Sequence, residues 1–139
     1  MKRFFEIVKY FVKTYPLSLI VVALVVYASL LRIPQDAVPK VPGLDKVVHV
    51  GMYLVLSGML WAEFLRVSYR KDTPLWHAWV GACLCPVLFG GFMELMQGWC
   101  TELRSASWLD FAANVLGVAL ASLVGFLAYR YLGRKKRNA

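Results

Sequence analysis

Four apolar stretches, each long enough to cross a lipid bilayer as a helix, take up most of this chain. The first covers residues 16–33 (PLSLIVVALVVYASLLRI), the second 47–65, the third 75–97 and the fourth 108–132. A helical crossing needs about 20 mostly apolar residues. A chain of 139 residues, 60% of them hydrophobic, has room for four crossings joined by short loops and for no separate soluble domain. Glycines and polar residues interrupt the third and fourth stretches without making them too short to span.

The net charge of +8 is a topology signal. Lys2, Arg3, Lys9 and Lys13 precede the first span, Arg66, Arg70 and Lys71 lie between the second and third, and Arg130, Arg134, Lys135, Lys136 and Arg137 end the chain. These three segments hold 12 of the 16 basic residues, while the other two loops hold Arg32, Lys40, Lys46 and Arg104. Basic residues mark cytoplasmic loops, so both termini are expected inside, with an anionic-lipid contact as a second use of the charge. The distribution argues against a nucleic-acid footprint. Trp99 and Trp108 fall at the outer boundary, and Tyr69, Trp76, Tyr129 and Tyr131 near the inner one, as an interfacial aromatic belt requires.

In KRFFEIVKYFVKTYP, Phe4, Val8, Phe11, Val12 and Tyr15 share one helical face, and Lys2, Glu6, Lys9 and Lys13 lie opposite. That pattern predicts an interfacial amphipathic helix over residues 1–15, ended by Pro16, where the first span begins. The rival reading is a signal peptide cleaved after VYA at Ala28; its basic region would be unusually long, which favours an uncleaved anchor. Cys83 and Cys85 fall inside the third span as small apolar residues, Cys100 falls in an outer loop, and no metal-type cysteine spacing exists.

The segment FMELMQGWCTELRSASWLDFAAN (residues 92–114) places Glu94, Gln97, Arg104, Asp110 and Asn114 at the outer ends of the third and fourth spans, and GLDKVVHVGMY adds Asp45, Lys46 and His49 from the second. Asp45 and His49, Glu94 and Gln97, and Asp110 and Asn114 are each one helical turn or slightly less apart and share a face. At about 1.5 Å rise per residue, His49, Glu94 and Asn114 each sit roughly one turn below the outer surface, so three helices present polar groups at one depth. Gly90 and Gly91 continue one of these faces, and Gly117, Ala121 and Gly125 another. Such spacing lets membrane helices approach closely, which turns the polar faces into the bundle.

Plainer roles compete for several of these residues. Ser107-Trp-Leu-Asp110 has capping-box spacing, so Asp110 can serve to start the fourth helix. Asp45 suits the positive N-terminus of the second. Arg104 suits a lipid phosphate or a structural pair with Glu94, and Gln97 and Asn114 suit interhelical hydrogen bonding. His49 and Glu94 cap nothing, and ionisable groups at such positions invite a functional reading. His77 is expected to be interfacial, and Glu63 to be solvated or paired with Arg66.

DKVVHVGMY, MELMQ and RSASWLDFAANVLGVALA, taken in order, resemble the VanZ-like integral membrane proteins, whose pattern is Asp-Lys-x-x-His, Glu-x-x-Gln, Arg and Asp-x-x-x-Asn-x-x-Gly. Asp45, Lys46, His49, Glu94, Gln97, Arg104, Asp110, Asn114 and Gly117 fill those places, over about residues 44–125. The resemblance implies a bacterial inner-membrane protein with a few helices. The family takes its name from a protein that lowers susceptibility to teicoplanin, a glycopeptide with a lipid tail.

The sequence therefore predicts an all-α fold: a four-helix transmembrane bundle (16–132) preceded by a short interfacial amphipathic helix (1–15) and followed by a basic cytoplasmic tail (133–139). One functional reading is an outer-leaflet site for an anionic lipid headgroup or lipid-linked envelope component, formed by Asp45, Lys46, Gln97, Arg104, Asp110 and Asn114. A second makes His49 and Glu94 an acid/base pair, with Arg104 stabilising developing negative charge; Ser105 and Ser107 lie near but form no nucleophile motif. A third makes the polar residues a helix-locking network serving structure or assembly. One histidine among scattered carboxylates is not a diagnostic ligand set, so no metal and no cofactor is expected. Val80–Phe89 offers no polar path for a channel.

Overall fold

The computed structural model describes residues 1–30, 41–100 and 107–138, and all regular structure among them is helical. Five helices follow in order: α1 (Lys2–Thr14), α2 (Pro16–Leu30), α3 (Leu44–Lys71), α4 (Trp76–Cys100) and α5 (Trp108–Asn138). Three of them, α3, α4 and α5, are long and apolar enough to cross a membrane. The 15 described residues of α2 reach about 22 Å, less than the roughly 30 Å of a hydrocarbon core. Residues 31–33 of the expected first span lie outside the described residues. Helices α1 and α2 meet at 93°, and α1 buries none of its residues against the rest of the protein.

Local chemistry explains where the helices begin and bend. Gly43 enters α3 with φ 78°, a left-handed conformation that glycine adopts without steric cost. Helix α3 closes at Asp72, whose N–H donates to Ser68 O at 2.9 Å and whose carboxylate meets Lys136 Nζ of α5 at 2.7 Å. Within α4, Trp79–Leu84 widens into a π-helical stretch just before Pro86. Proline has no N–H for the carbonyl four residues back; that carbonyl is Ala82 O, and Ser57 Oγ of α3 donates to it. An interruption in α4 is thus repaired from a neighbouring helix.

Glu63 takes up the expected pairing with Arg66, at 4.0 Å, and has a further role. It is buried, not solvated, and its carboxylate caps the N-terminus of α2: Leu17 N donates to Oε1 at 3.0 Å, and Ser18 N to Oε2 at 3.2 Å, with Ser18 Oγ on the same oxygen. A helix start has N–H groups without intrahelical partners and a positive dipole end, so a carboxylate from α3 satisfies both. Arg66 lies 4.0 Å from Glu63 and donates to Thr14 O at 2.9 Å, which pins the end of α1. Sequence spacing offered Arg66 as a partner because it is near in the chain; the N-terminus of α2 comes from a helix some 45 residues away.

Helices α3 and α5 run parallel, since His49 meets Asn114 at one end and Asp72 meets Lys136 at the other. Their backbones come into contact at Gly117, where an added Cβ would lie 2.9 Å from Leu54 N and closer still to Val50 O. Lower down, Gly125 faces the ring of Trp61, and Trp61 Nε1 donates to Ser122 Oγ at 3.1 Å. The core forms in two clusters, one around Val25, Tyr53, Leu56 and Val118, the other around Trp61, Phe64, Ala78 and Ala82. Large apolar side chains such as Leu88, Phe92, Leu95, Leu123 and Leu127 point outward, while Ser57, Gln97, Asn114 and Ser122 are buried. That inversion of the soluble pattern suits helices whose solvent is lipid.

The glycines yield a signed prediction. Gly117→Ala forces the α3 and α5 backbones apart and should cost about 1–3 kcal/mol, read as a lower unfolding midpoint in detergent. Gly51→Ala, where nothing lies within 4 Å of the new methyl, should be neutral or raise the midpoint, because alanine is the better helix former by about 1 kcal/mol.

Candidate functional site

The N-terminal ends of α3 and α5 and the C-terminal end of α4 bring His49, Glu94 and Asn114 into one buried group. His49 Nδ1 lies 2.9 Å from Asn114 Oδ1, Asn114 Nδ2 donates to Glu94 Oε1 at 3.4 Å, and His49 Nδ1 is 3.5 Å from the same carboxylate oxygen. Their relative exposures are 2%, 5% and 0%. A carboxylate only accepts, so the asparagine must turn its NH2 toward Glu94 and its oxygen toward His49. The imidazole proton is therefore assigned to Nδ1, leaving Nε2 as the nitrogen able to take up a proton.

Close helix packing makes this group. Asn114 stands one turn from Gly117 on α5, and the backbone contact at Gly117 draws it against α3. Gly90 plays the matching part on α4: a Cβ there would lie 3.1 Å from the ring of Tyr53 and 3.3 Å from Asn114. Three helices can thus share a polar centre only because two of them carry hydrogen in place of a side chain.

The remaining expected residues divide. Lys46 Nζ pairs with Asp45 at 3.1 Å and approaches Asp110 Oδ1 at 3.7 Å, so it bridges α3 and α5 at the rim above the buried group. Asp45 is well exposed and contacts only its neighbour, in keeping with its place in the first turn of α3. Gln97 turns away toward α2, where its Nε2 donates to Ser29 O at 2.9 Å. Arg104 and Ser105 lie outside the described residues.

The capping box resolves unevenly. Asp110 N donates to Ser107 Oγ at 3.4 Å, as the spacing predicts, but the Ser107 N–H points to Glu94 Oε2 at 3.5 Å. Glu94 therefore faces the start of α5, where its charge meets the positive end of that helix. Asp110 Oδ1 is buried without a hydrogen bond among the described residues.

Two further polar residues belong to the neighbourhood and were not singled out by sequence. The Tyr53 hydroxyl, one turn below His49, is buried and lacks a hydrogen bond among the described residues; its four-residue spacing from His49 was the available signal. Ser29 contributes only a backbone oxygen, which no side-chain pattern could announce. Between α4 and α5 lies a groove of about 280 Å³ lined by Gly91, Glu94, Leu95, Ser107, Trp108 and Phe111.

His49, Glu94 and Asp110 each offer a ligand atom, and these atoms lie within 4.8 Å of one another. The Lys46 ammonium lies 3.7 Å from Asp110 Oδ1 and supplies positive charge at the edge of this group. The chain matches no protein-family model, no curated protein and no solved structure.

Asn114→Leu removes the partner of both an imidazole and a carboxylate. It should cost about 1–3 kcal/mol, more than the roughly 0.6 kcal/mol typical of one interhelical hydrogen bond in a membrane. Asp45→Ala, at the exposed rim, should stay within about 0.5 kcal/mol. Chemical or thermal unfolding in detergent measures both.

Proposed function

We propose that this chain is a VanZ-like protein of the bacterial cytoplasmic membrane whose outer-leaflet site binds an anionic lipid headgroup or lipid-linked envelope component. In this reading four spans cross the bilayer, with α2 and the residues after it forming the first. Helix α1 lies along the inner surface with its apolar face in lipid, and both termini are cytoplasmic. The ordered Asp-Lys-x-x-His, Glu-x-x-Gln and Asp-x-x-x-Asn-x-x-Gly residues support the family reading, and a link to glycopeptide susceptibility follows from that resemblance.

One observation supports the site: an apolar groove between α4 and α5 has the buried Glu94 carboxylate in its wall, and Lys46 reaches from α3 to Asp110 at the same end of the bundle. Such a place suits an amphiphile, whose acyl chains stay in the bilayer while its head enters the polar layer. Lys46 and Arg104 meet its phosphate; Glu94 and Asp110 accept from its hydroxyl or amine donors. If the bound head is also transformed, His49 Nε2 and Glu94 are the groups placed to move a proton.

The second reading, a helix-locking network, draws on the mutual hydrogen bonding of His49, Asn114 and Glu94. The two part on rim variants. Lys46→Gln and Arg104→Ala should each lower the occupancy of one bound anionic lipid, counted by native mass spectrometry of the detergent-solubilised protein, with no change in unfolding midpoint. Wild-type occupancy in both variants would leave the network as the site's only role.

A further inference from the structure

At the opposite end of the bundle, four cations from two helices converge on one cavity. Lys13 at the end of α1 and Arg66, Arg70 and Lys71 at the end of α3 line a space of about 300 Å³, together with Tyr10 and Thr14. No acidic side chain lines it. Among the described residues no carboxylate pairs with Lys13, Arg70 or Lys71, whereas Lys46 and Lys136 each have one. Arg66 spends one donor on Thr14 O, which holds the two helix ends together, and stands 4.0 Å from the buried Glu63. A guanidinium has five N–H donors, so most of its donors remain for a ligand.

A second cavity lies near this one. It is larger, about 480 Å³, and mostly apolar, running between α2, α3 and α4 past Leu19, Val22, Leu60 and Phe89. Tyr10 lines both spaces. A cationic space and a hydrocarbon-lined one with Tyr10 in both walls suit a phosphate bearing an acyl chain. A soluble anion would leave the larger cavity unused.

We propose that this pair of cavities is a binding site for one anionic phospholipid of the inner leaflet, with its phosphate held by Lys13, Arg66, Arg70 and Lys71 and an acyl chain lying along α2 and α4. It rests on the chain being a membrane protein and is independent of the outer site. The lipid would fasten α1 to the ends of α3, a junction otherwise made by Arg66 and Glu63.

The test uses the full chain in phosphatidylcholine nanodiscs titrated with phosphatidylglycerol. Lys13→Gln with Arg70→Gln, both exposed, should weaken binding about tenfold (about 1.4 kcal/mol), and Val22→Trp, which fills the apolar cavity, should weaken it similarly. Lys135→Gln with Arg137→Gln removes equal charge outside the cavity and should leave binding unchanged. Inorganic phosphate at about 10 mM should not displace the lipid beyond ordinary salt screening. Equal weakening by the tail pair would reduce the site to diffuse surface attraction, and unchanged binding in the Lys13/Arg70 pair would overturn it. Displacement by phosphate beyond that of chloride at equal ionic strength would make it a site for a soluble anion, also against the proposal.

Discussion

The backbone contact between α3 and α5 at Gly117 governs the rest of this structure. Two parallel helices that close set the register of everything above and below them. One turn outward, Asn114 is delivered to His49; two turns inward, Gly125 and Ser122 are delivered to Trp61. In lipid no hydrophobic force drives helices together, so their association depends on fit and on polar groups finding partners. Here the same stripe of small residues provides both.

Polar groups inside the bundle are handled by a repeated device: a group left over on one helix is met by a side chain from another. Ser57 answers the carbonyl opposite Pro86, Glu63 answers the start of α2, and Gln97 answers Ser29 O. Glu94 joins this scheme through Ser107 N and Asn114, which makes it part of the architecture as well as of the groove wall between α4 and α5. A binding site in such a protein need not be separate from the network that holds the helices. The exposed rim and the groove are what distinguish this place from the other internal bonds.

Much of the polar centre was legible in the sequence because helix periodicity converts spacing into depth. His49, Glu94 and Asn114 could be placed at one level by counting residues from the ends of apolar runs, and the small residues told which faces turn inward. What could not be read was anything decided by a partner distant in the chain. The local pair of Glu63 with Arg66 could be read from spacing, but the capping of α2 by the same carboxylate could not. Gln97 shares a face with Glu94 by spacing, yet its amide reaches α2. The π-helical stretch before Pro86 has no periodic signature, because it depends on Ser57 being available across the interface. The cavity shared by α1 and α3 also escaped notice, since a basic cluster in sequence reads first as a topology signal.

The central claim is that His49 and Asn114 act on one another across the α3–α5 interface within a single buried group. A double-mutant cycle with His49→Ala, Asn114→Ala and the combined variant, measured by reversible unfolding in detergent, tests it most directly. A coupling of at least about 1 kcal/mol is expected for contacting residues in one hydrogen-bonded network. Additivity within about 0.3 kcal/mol would mean the two side chains do not share a partner, and the polar centre described here would not hold.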